Sequence, residues 1–252
     1  MRKLPSARPL ALLLIVASCT PSGSPTPAES EAAGEASHNP AAYVEDQLYE
    51  QQLSAADFVD VIDNPYLPWT PGTTLTYEGG GERVEITVTD ETRTILGITA
   101  TVVHDQVLTD GEVTEDTYDW YAQDRWGNVW YLGEDTKEFE NGEVVSTEGS
   151  WEAGVDGAQP GNAMLADPQV GDTYRQEFYE GEAEDLAKIF ELGQQAEAPA
   201  GSYDDVLVTE EWTPLNRGIV EHKFYARGIG VVREEQIKAG NAVLELIDVK
   251  TP

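Results

Sequence analysis

The chain has almost no cysteine. Cys19 is its one thiol in 252 residues, so no internal disulfide can staple the fold, and stability must come from burial and pairing. Basic residues are scarce too: 15 Lys and Arg stand against 47 Asp and Glu, a formal net charge of −32. That balance excludes nucleic acid as a partner, because phosphate neutralisation needs clustered Lys and Arg. It equally excludes a polybasic grip on anionic lipid. Several motifs are also missing. The chain contains no HExxH, no GxxxxGKS/T, no GxGxxG after a strand, no GxSxG and no EF-hand run, so nothing in it points to the chemistries those motifs carry.

What is present begins at the N-terminus. MRKLPSARPLALLLIVASC places Arg2, Lys3 and Arg8 ahead of an apolar run, Leu10 to Ala17. The run is too short to span a bilayer and reads as an export signal. Val16-Ala17-Ser18-Cys19 resembles the lipobox of bacterial lipoproteins. That resemblance implies cleavage before Cys19, acyl chains such as palmitate on Cys19, and a protein anchored in the bilayer of a bacterial cell envelope, facing away from the cytoplasm. A thioether-linked sulfur is no nucleophile, so the same reading removes a catalytic cysteine. Residues 1–18 are then the signal. Residues 19–42, rich in Pro, Ser, Ala and Glu, form a disordered tether. Loss of three basic residues with the signal leaves 12 against 47 acids, a net charge of about −35.

Residues 43–252 form one β-rich domain. A loosely helical spacing runs from Tyr43 to Ile62. Three prolines in Asp63 to Gly72 end it, and Tyr66, Leu67 and Trp69 should fold back as an apolar plug. Alternating, β-branched strands follow from Thr73. Asp110-Gly111 and Asn141-Gly142 are two-residue hairpin turns. The first predicts Thr109 opposite Glu112 and, continued without a bulge, Asp105 opposite Asp116, a like-charge pair. The second places Phe139 opposite Val144. Glu182 to Gly193 has acids first, a later lysine and an apolar face of Leu186, Ile189 and Phe190, and predicts a short helix. Four more strands complete the chain. The expected architecture is a single strongly curved antiparallel sheet or open barrel with one or two short packed helices.

The segment DWYAQDRWGNVWYLGED carries aromatics on both faces of two adjacent strands. Asp119 and Tyr121 share one face, Trp120 and Ala122 the other. Either both faces are covered or one lines a cavity. On the second reading Tyr118, Trp120, Tyr121, Trp130, Tyr131 and Trp151 present themselves to an apolar or sugar-like ligand. The runs NPYLPWTPGTTLTYEG, DTYDWYAQDRWGNVWYLGEDT, GSWEAGVDGAQPG, VGDTYRQEFYEGEAED and EHKFYARGIGVV resemble an uncharacterised family of bacterial secreted proteins and lipoproteins. No activity is established for that family, so the resemblance implies a kind of protein and no mechanism.

The acidity has two physical readings: a solvated surface, or cation binding with calcium as the cofactor. Candidate oxygen ligands are Asp105, Asp116, Asp119, Asp124, Glu152 and Asp156. A zinc site could use His104 and His222 with a carboxylate, but two histidines are a thin basis for one. Three classes of function stay open. The first is a non-enzymatic envelope lipoprotein that binds a ligand or acts as a scaffold. The second is a carboxylate-dependent or calcium-assisted hydrolase using a pair such as Asp119 and Glu134. The third is a calcium-binding structural protein. A hydrolase requires two carboxylates facing each other across a cleft, whereas a ligand site requires an aromatic-lined concavity.

Overall fold

A computed structural model describes residues 39–40, 43–45 and 47–252. The signal segment, Cys19 and the tether, apart from Asn39 and Pro40, lie outside the described residues. Sixteen strands follow in chain order: β1 (Phe58–Val59), β2 (Thr74–Gly79), β3 (Glu82–Ile95), β4 (Ile98–Thr109), β5 (Glu112–Asp124), β6 (Val129–Glu140), β7 (Glu143–Ser146), β8 (Trp151–Glu152), β9 (Gln159–Met164), β10 (Thr173–Arg175), β11 (Glu177–Phe178), β12 (Leu186–Ala198), β13 (Gly201–Trp212), β14 (Val220–Ala226), β15 (Gly230–Lys238) and β16 (Val243–Lys250).

Thirteen of them run in one antiparallel path, β10-β12-β13-β14-β15-β16-β2-β3-β4-β5-β6-β9-β11. The two ends of that path, β10 and β11, are consecutive in the chain with only Gln176 between them. The sheet therefore comes round on itself as a nearly closed barrel, which removes most of its free edge. At this seam β9 passes so close that a Cβ on Gly161 would sit 2.2 Å from the carbonyl carbon of Gln176. Only glycine allows that approach.

The predicted helices are absent among the described residues. Tyr43 to Ile62 there contains a 3-10 turn, Ala55–Asp57, and the short strand β1, which pairs with β5. Glu182 to Gly193 contributes to strand β12, which pairs with β13. The register of that pair shifts between Ile189 and Glu191 and again between Glu191 and Gln194. Leu186 and Ile189 are in regular register on opposite faces of β12 and both are buried, so burial on two faces imitates the spacing of a helical face. The Asn141-Gly142 hairpin pairs Phe139 with Val144 as expected. The Asp110-Gly111 hairpin pairs Thr109 with Glu112, but a bulge between Val107 and Leu108 then moves the register by one. Asp105 consequently faces Thr117 and Asp116 faces Gln106, so the like-charge pair does not form.

Two cores result. Inside the barrel, Leu75, Tyr77, Val88, Val103, Val129, Leu207, Val232 and Leu246 pack together, and Tyr66, Leu67 and Trp69 plug into them as the proline-rich run predicts. Outside the wall, Ile98, Val102, Trp120, Trp130, Leu132 and Trp151 form a second cluster, with Leu53 and Phe58 packed against it. Val102 and Val103, adjacent on β4, belong to opposite cores, so this part of the sheet is apolar on both faces. The loop from Trp151 to Ala158 is a structured cover for the outer core, although Val155 at its tip is exposed.

Candidate functional site

The barrel interior is not filled. A cavity of about 480 Å3 lies among β2, β3, β4, β5, β14, β15 and β16. Its rim is made by Gly79, Gly80 and Glu82 at one hairpin and by Gln236, Ala242 and Val243 at another. The size falls in the range of small-molecule sites, roughly 300–1,000 Å3. Trp69, Tyr77, Tyr121 and Tyr225 supply aromatic wall, and Val84, Ile86, Val107 and Leu244 supply aliphatic wall.

Strand alternation puts charge into the same wall. On β4 the inward positions include Val103, Asp105 and Val107; on β14 they include Lys223 and Tyr225. Asp105, Glu115 and Glu234 line the cavity together with Lys223. Lys223 Nζ lies 2.9 Å from Glu211 Oε2 and 3.9 Å from Glu234 Oε2. Glu211 Oε1 accepts further hydrogen bonds from Thr209 Oγ1 at 2.7 Å and from the Tyr225 hydroxyl at 3.2 Å. Burial by itself would lower the Lys223 pKa, but Glu211 and Glu234 outweigh it and hold the ammonium well above the ordinary lysine value. Burial, then the charges of Asp119, Glu115 and Glu234, push the Asp105 carboxyl well above the carboxylate range. Asp105 Oδ1 is buried with no hydrogen-bond partner, and so is Trp69 Nε1 on the same wall. The cavity thus combines an apolar body with an acid-rich surface whose one lysine is already paired.

Of the six aromatics singled out from the sequence, Tyr121 is on this wall. It packs against Trp69, centroids 5.8 Å apart, and stacks on Tyr131 at 4.8 Å. Tyr131 meets Trp151 edge-on at 5.3 Å. Trp120, Trp130 and Trp151 are buried in the outer core. Trp120 lies under the Arg93 guanidinium at 4.0 Å, Trp130 Nε1 donates to Asp124 and Trp151 Nε1 donates to Glu177. Tyr118 stacks on His104, 4.4 Å between centroids.

The six candidate cation ligands are dispersed. Asp105 is in the cavity wall. Asp116 accepts from His104 Nε2 and Gln106 Nε2, each at 2.7 Å. Asp119 accepts from the Tyr131 hydroxyl at 2.6 Å. Asp124 organises the β5–β6 turn, accepting from the backbone of Trp126 and Asn128 and from the side chains of Asn128 and Trp130. Glu152 pairs with Arg93. Asp156 sits at an exposed turn with φ 49°. Among the described residues no group of three or more His, Cys, Asp or Glu is placed to hold a metal ion. His104 on β4 and His222 on β14 stand five strands apart along the sheet path.

Asp119 and Glu134 are register partners on β5 and β6. They lie side by side in the wall, and neither lines the cavity. Trp69, expected from sequence as part of the plug, also shapes it; Tyr77, Glu115, Lys223, Tyr225 and Glu234 were not singled out from sequence. Period-two alternation could have found Lys223, since it shares a face with Tyr225 in GIVEHKFYARG.

No family model and no curated protein matches the chain. Among solved structures, the chain is similar to a "putative exported protein with YmcC-like fold" from Bacteroides fragilis, with 15% identity and a TM-score of 0.43 over 76% of this chain and 100% of that one. It is also similar to a "putative lipoprotein" from Parabacteroides distasonis, with 12% identity and a TM-score of 0.40 over 74% of this chain and 99% of that one.

Proposed function

We propose that this is a ligand-binding envelope lipoprotein, and that the barrel cavity holds a small amphipathic molecule with an apolar body and an amine or hydroxyl end. The observation that carries the reading is the cavity itself: about 480 Å3, walled by Trp69, Tyr77, Tyr121 and Tyr225 and edged by Asp105, Glu115 and Glu234. The aromatic wall favours burial of apolar surface. The carboxyls accept hydrogen bonds, and in their ionised form they favour a cation, because Lys223 is committed to Glu211. The pair Asp119 and Glu134 lies side by side in the wall outside this cavity, which favours binding over the hydrolase reading built on those two residues. Anchoring through acylated Cys19 would hold the barrel on the outer side of a bacterial membrane, with the tether giving it reach.

Two measurements test this. Native mass spectrometry of protein gently extracted from its host should show a small molecule retained by the wild type and lost from Val107→Trp, which fills the cavity. In parallel, dodecylamine should quench tryptophan fluorescence saturably in the wild type and not in Val107→Trp. No retained mass together with no saturable quenching by dodecylamine would sink the reading. Mass spectrometry of the membrane fraction decides the anchor: an unmodified N-terminus beyond Cys19 removes it.

A further inference from the structure

Strand register isolates Asp105 from donors within the protein. On β4 it stands between Ile86 of β3 and Thr117 of β5. Ile86 has no hydrogen-bonding side chain. The Thr117 hydroxyl is engaged with the Thr136 hydroxyl at 3.0 Å and with Glu115 Oε1 at 3.4 Å. Asp105 Oδ1 is consequently buried without a hydrogen bond, although the residue lines the barrel cavity and keeps some exposed surface. Rotation about the last side-chain bond exchanges its two oxygens, so either one can be turned to the cavity. Native interiors leave few such acceptors unmet, and each costs about 1–3 kcal/mol.

The charge around it is unbalanced in the same sense. Glu115 and Glu234 line the cavity with Asp105, and Asp119 adds its negative potential from the wall behind. Lys223 is the one basic residue lining the cavity. Its ammonium is directed to Glu211 at 2.9 Å and to Glu234 at 3.9 Å. Two hydroxyls on the same wall are also used: Tyr77 donates to Val231 O at 2.9 Å, and Tyr225 donates to Glu211 at 3.2 Å. Asp105 therefore lacks both a hydrogen and a counter-charge.

We propose that the cavity selects ligands ending in a primary or secondary ammonium, and that Asp105 accepts the ammonium hydrogen bond. The inference rests on the reading of the cavity as a ligand site and narrows it to one ligand class. A hydroxyl end brings a hydrogen but no charge. A quaternary ammonium brings a charge but no hydrogen. A primary or secondary ammonium brings both, and a charge-assisted hydrogen bond is roughly twice as strong as a neutral one. Burial and the neighbouring acids favour the proton on Asp105; an ammonium beside it moves the balance to the carboxylate. The apolar body of the ligand then packs on the aromatic and aliphatic wall.

Calorimetric titration of the purified protein with decylamine, decyltrimethylammonium and 1-decanol tests this, each below micelle formation, at neutral pH and fixed ionic strength. The wild type should bind decylamine about tenfold more tightly than either of the others, as expected for one hydrogen bond to a charged group. Asp105→Asn, which keeps the size of the side chain, should lose that preference and leave 1-decanol affinity within about twofold of the wild type. Val107→Trp should abolish binding of all three. If decyltrimethylammonium matches decylamine on the wild type, the acid excess alone attracts the ligand. If 1-decanol matches it, the charge contributes nothing. Either result overturns the proposal and leaves the cavity a binding site, and so does a preference that survives in Asp105→Asn. No saturable binding of any of the three, with none of dodecylamine, removes the proposal and the cavity reading together. The wild-type comparison decides even if Asp105→Asn does not fold.

Discussion

Asp119 on β5 stands directly opposite Glu134 on β6, and its Oδ1 accepts a 2.6 Å hydrogen bond from Tyr131. Two carboxyls so placed in a buried wall cannot both ionise cheaply. Burial, only partly countered by Tyr131, raises Asp119 from 3.8 to about 7. Burial, with Asp119 next, pushes Glu134 well above its usual range. Burial also raises Asp185 from 3.8 to about 7 and, with Glu234, Glu221 from 4.5 to about 8.

These shifts set the sign of the pH dependence. A carboxyl whose folded pKa is raised binds its proton more tightly in the folded state than in the unfolded one. Stability is therefore greatest below the unfolded values and falls as pH rises from about 4 to about 8. In high salt, which removes most of the surface contribution, the protein should melt at a higher temperature at pH 5 than at pH 8.5. Asp119→Asn keeps the Tyr131 acceptor and removes one ionisation, so it should flatten the profile and raise the melting temperature at pH 8.5. A wild-type profile that rises with pH would contradict the buried-acid account.

Lys223 and Glu211 form the pair on which that interior depends. Removing one partner of a buried pair strands the other charge, typically at a cost of about 3–5 kcal/mol. Lys223→Met should therefore destabilise by an amount of that order. The double variant Lys223→Met with Glu211→Leu should recover much of the loss. Urea denaturation of the wild type and both variants measures it, and a double variant no more stable than Lys223→Met would refute it.

The seam gives a sharper steric prediction. Gly161→Ala puts a Cβ 2.2 Å from the Gln176 carbonyl carbon, whereas a Cβ at Gly201 finds its first neighbour, the Tyr203 ring, at 3.6 Å. Backbone cannot yield as a side-chain tip can. Gly161→Ala should cost about 3 kcal/mol or more, and Gly201→Ala less than about 1 kcal/mol. Comparable urea midpoints for the two would mean that the seam is loose.

The sequence carried these features unevenly. Turn chemistry was legible: Asn141-Gly142 and Asp110-Gly111 each fixed the pairing beside them, and the prolines around Tyr66, Leu67 and Trp69 marked the plug. Bulges were less so: near Val107 no glycine marks the extra residue, and Gly193, with φ 68° inside the second bulge of β12, reads equally as a helix stop. One missed bulge moved Asp116 from Asp105 to Gln106, and burial of Leu186 and Ile189 on opposite faces of β12 disguised a strand as a helix. The site was half visible for a related reason. Alternation shows that Tyr121 and Trp120 lie on opposite faces, but not which face lines a cavity and which meets a covering loop. That depends on the closure of β10 onto β11 and on the placement of Trp151, contacts between residues far apart in the chain.

The acid excess gives the last prediction, which concerns cations. Surface repulsion among like charges is screened over about 10 Å at 0.1 M salt, so sodium chloride should raise the melting temperature. A specific calcium site would add a saturable rise beyond that. Calcium prefers six to eight oxygen ligands, several of them ionised carboxylates. Four oxygen sets among the candidates already have partners: Asp116 holds His104 and Gln106, Asp119 holds Tyr131, Asp124 holds the β5–β6 turn, and Glu152 holds Arg93. Recruiting any of them to a metal would break those bonds. Asp105 has a buried oxygen with no partner, but burial and neighbouring acids favour its protonated form. Calcium chloride should therefore raise the melting temperature no more than sodium chloride at the same ionic strength. A larger, saturable calcium effect that disappears in Asp105→Asn would overturn this and relocate a cation to the barrel cavity. One that survives in Asp105→Asn would place it among the outer carboxylates instead.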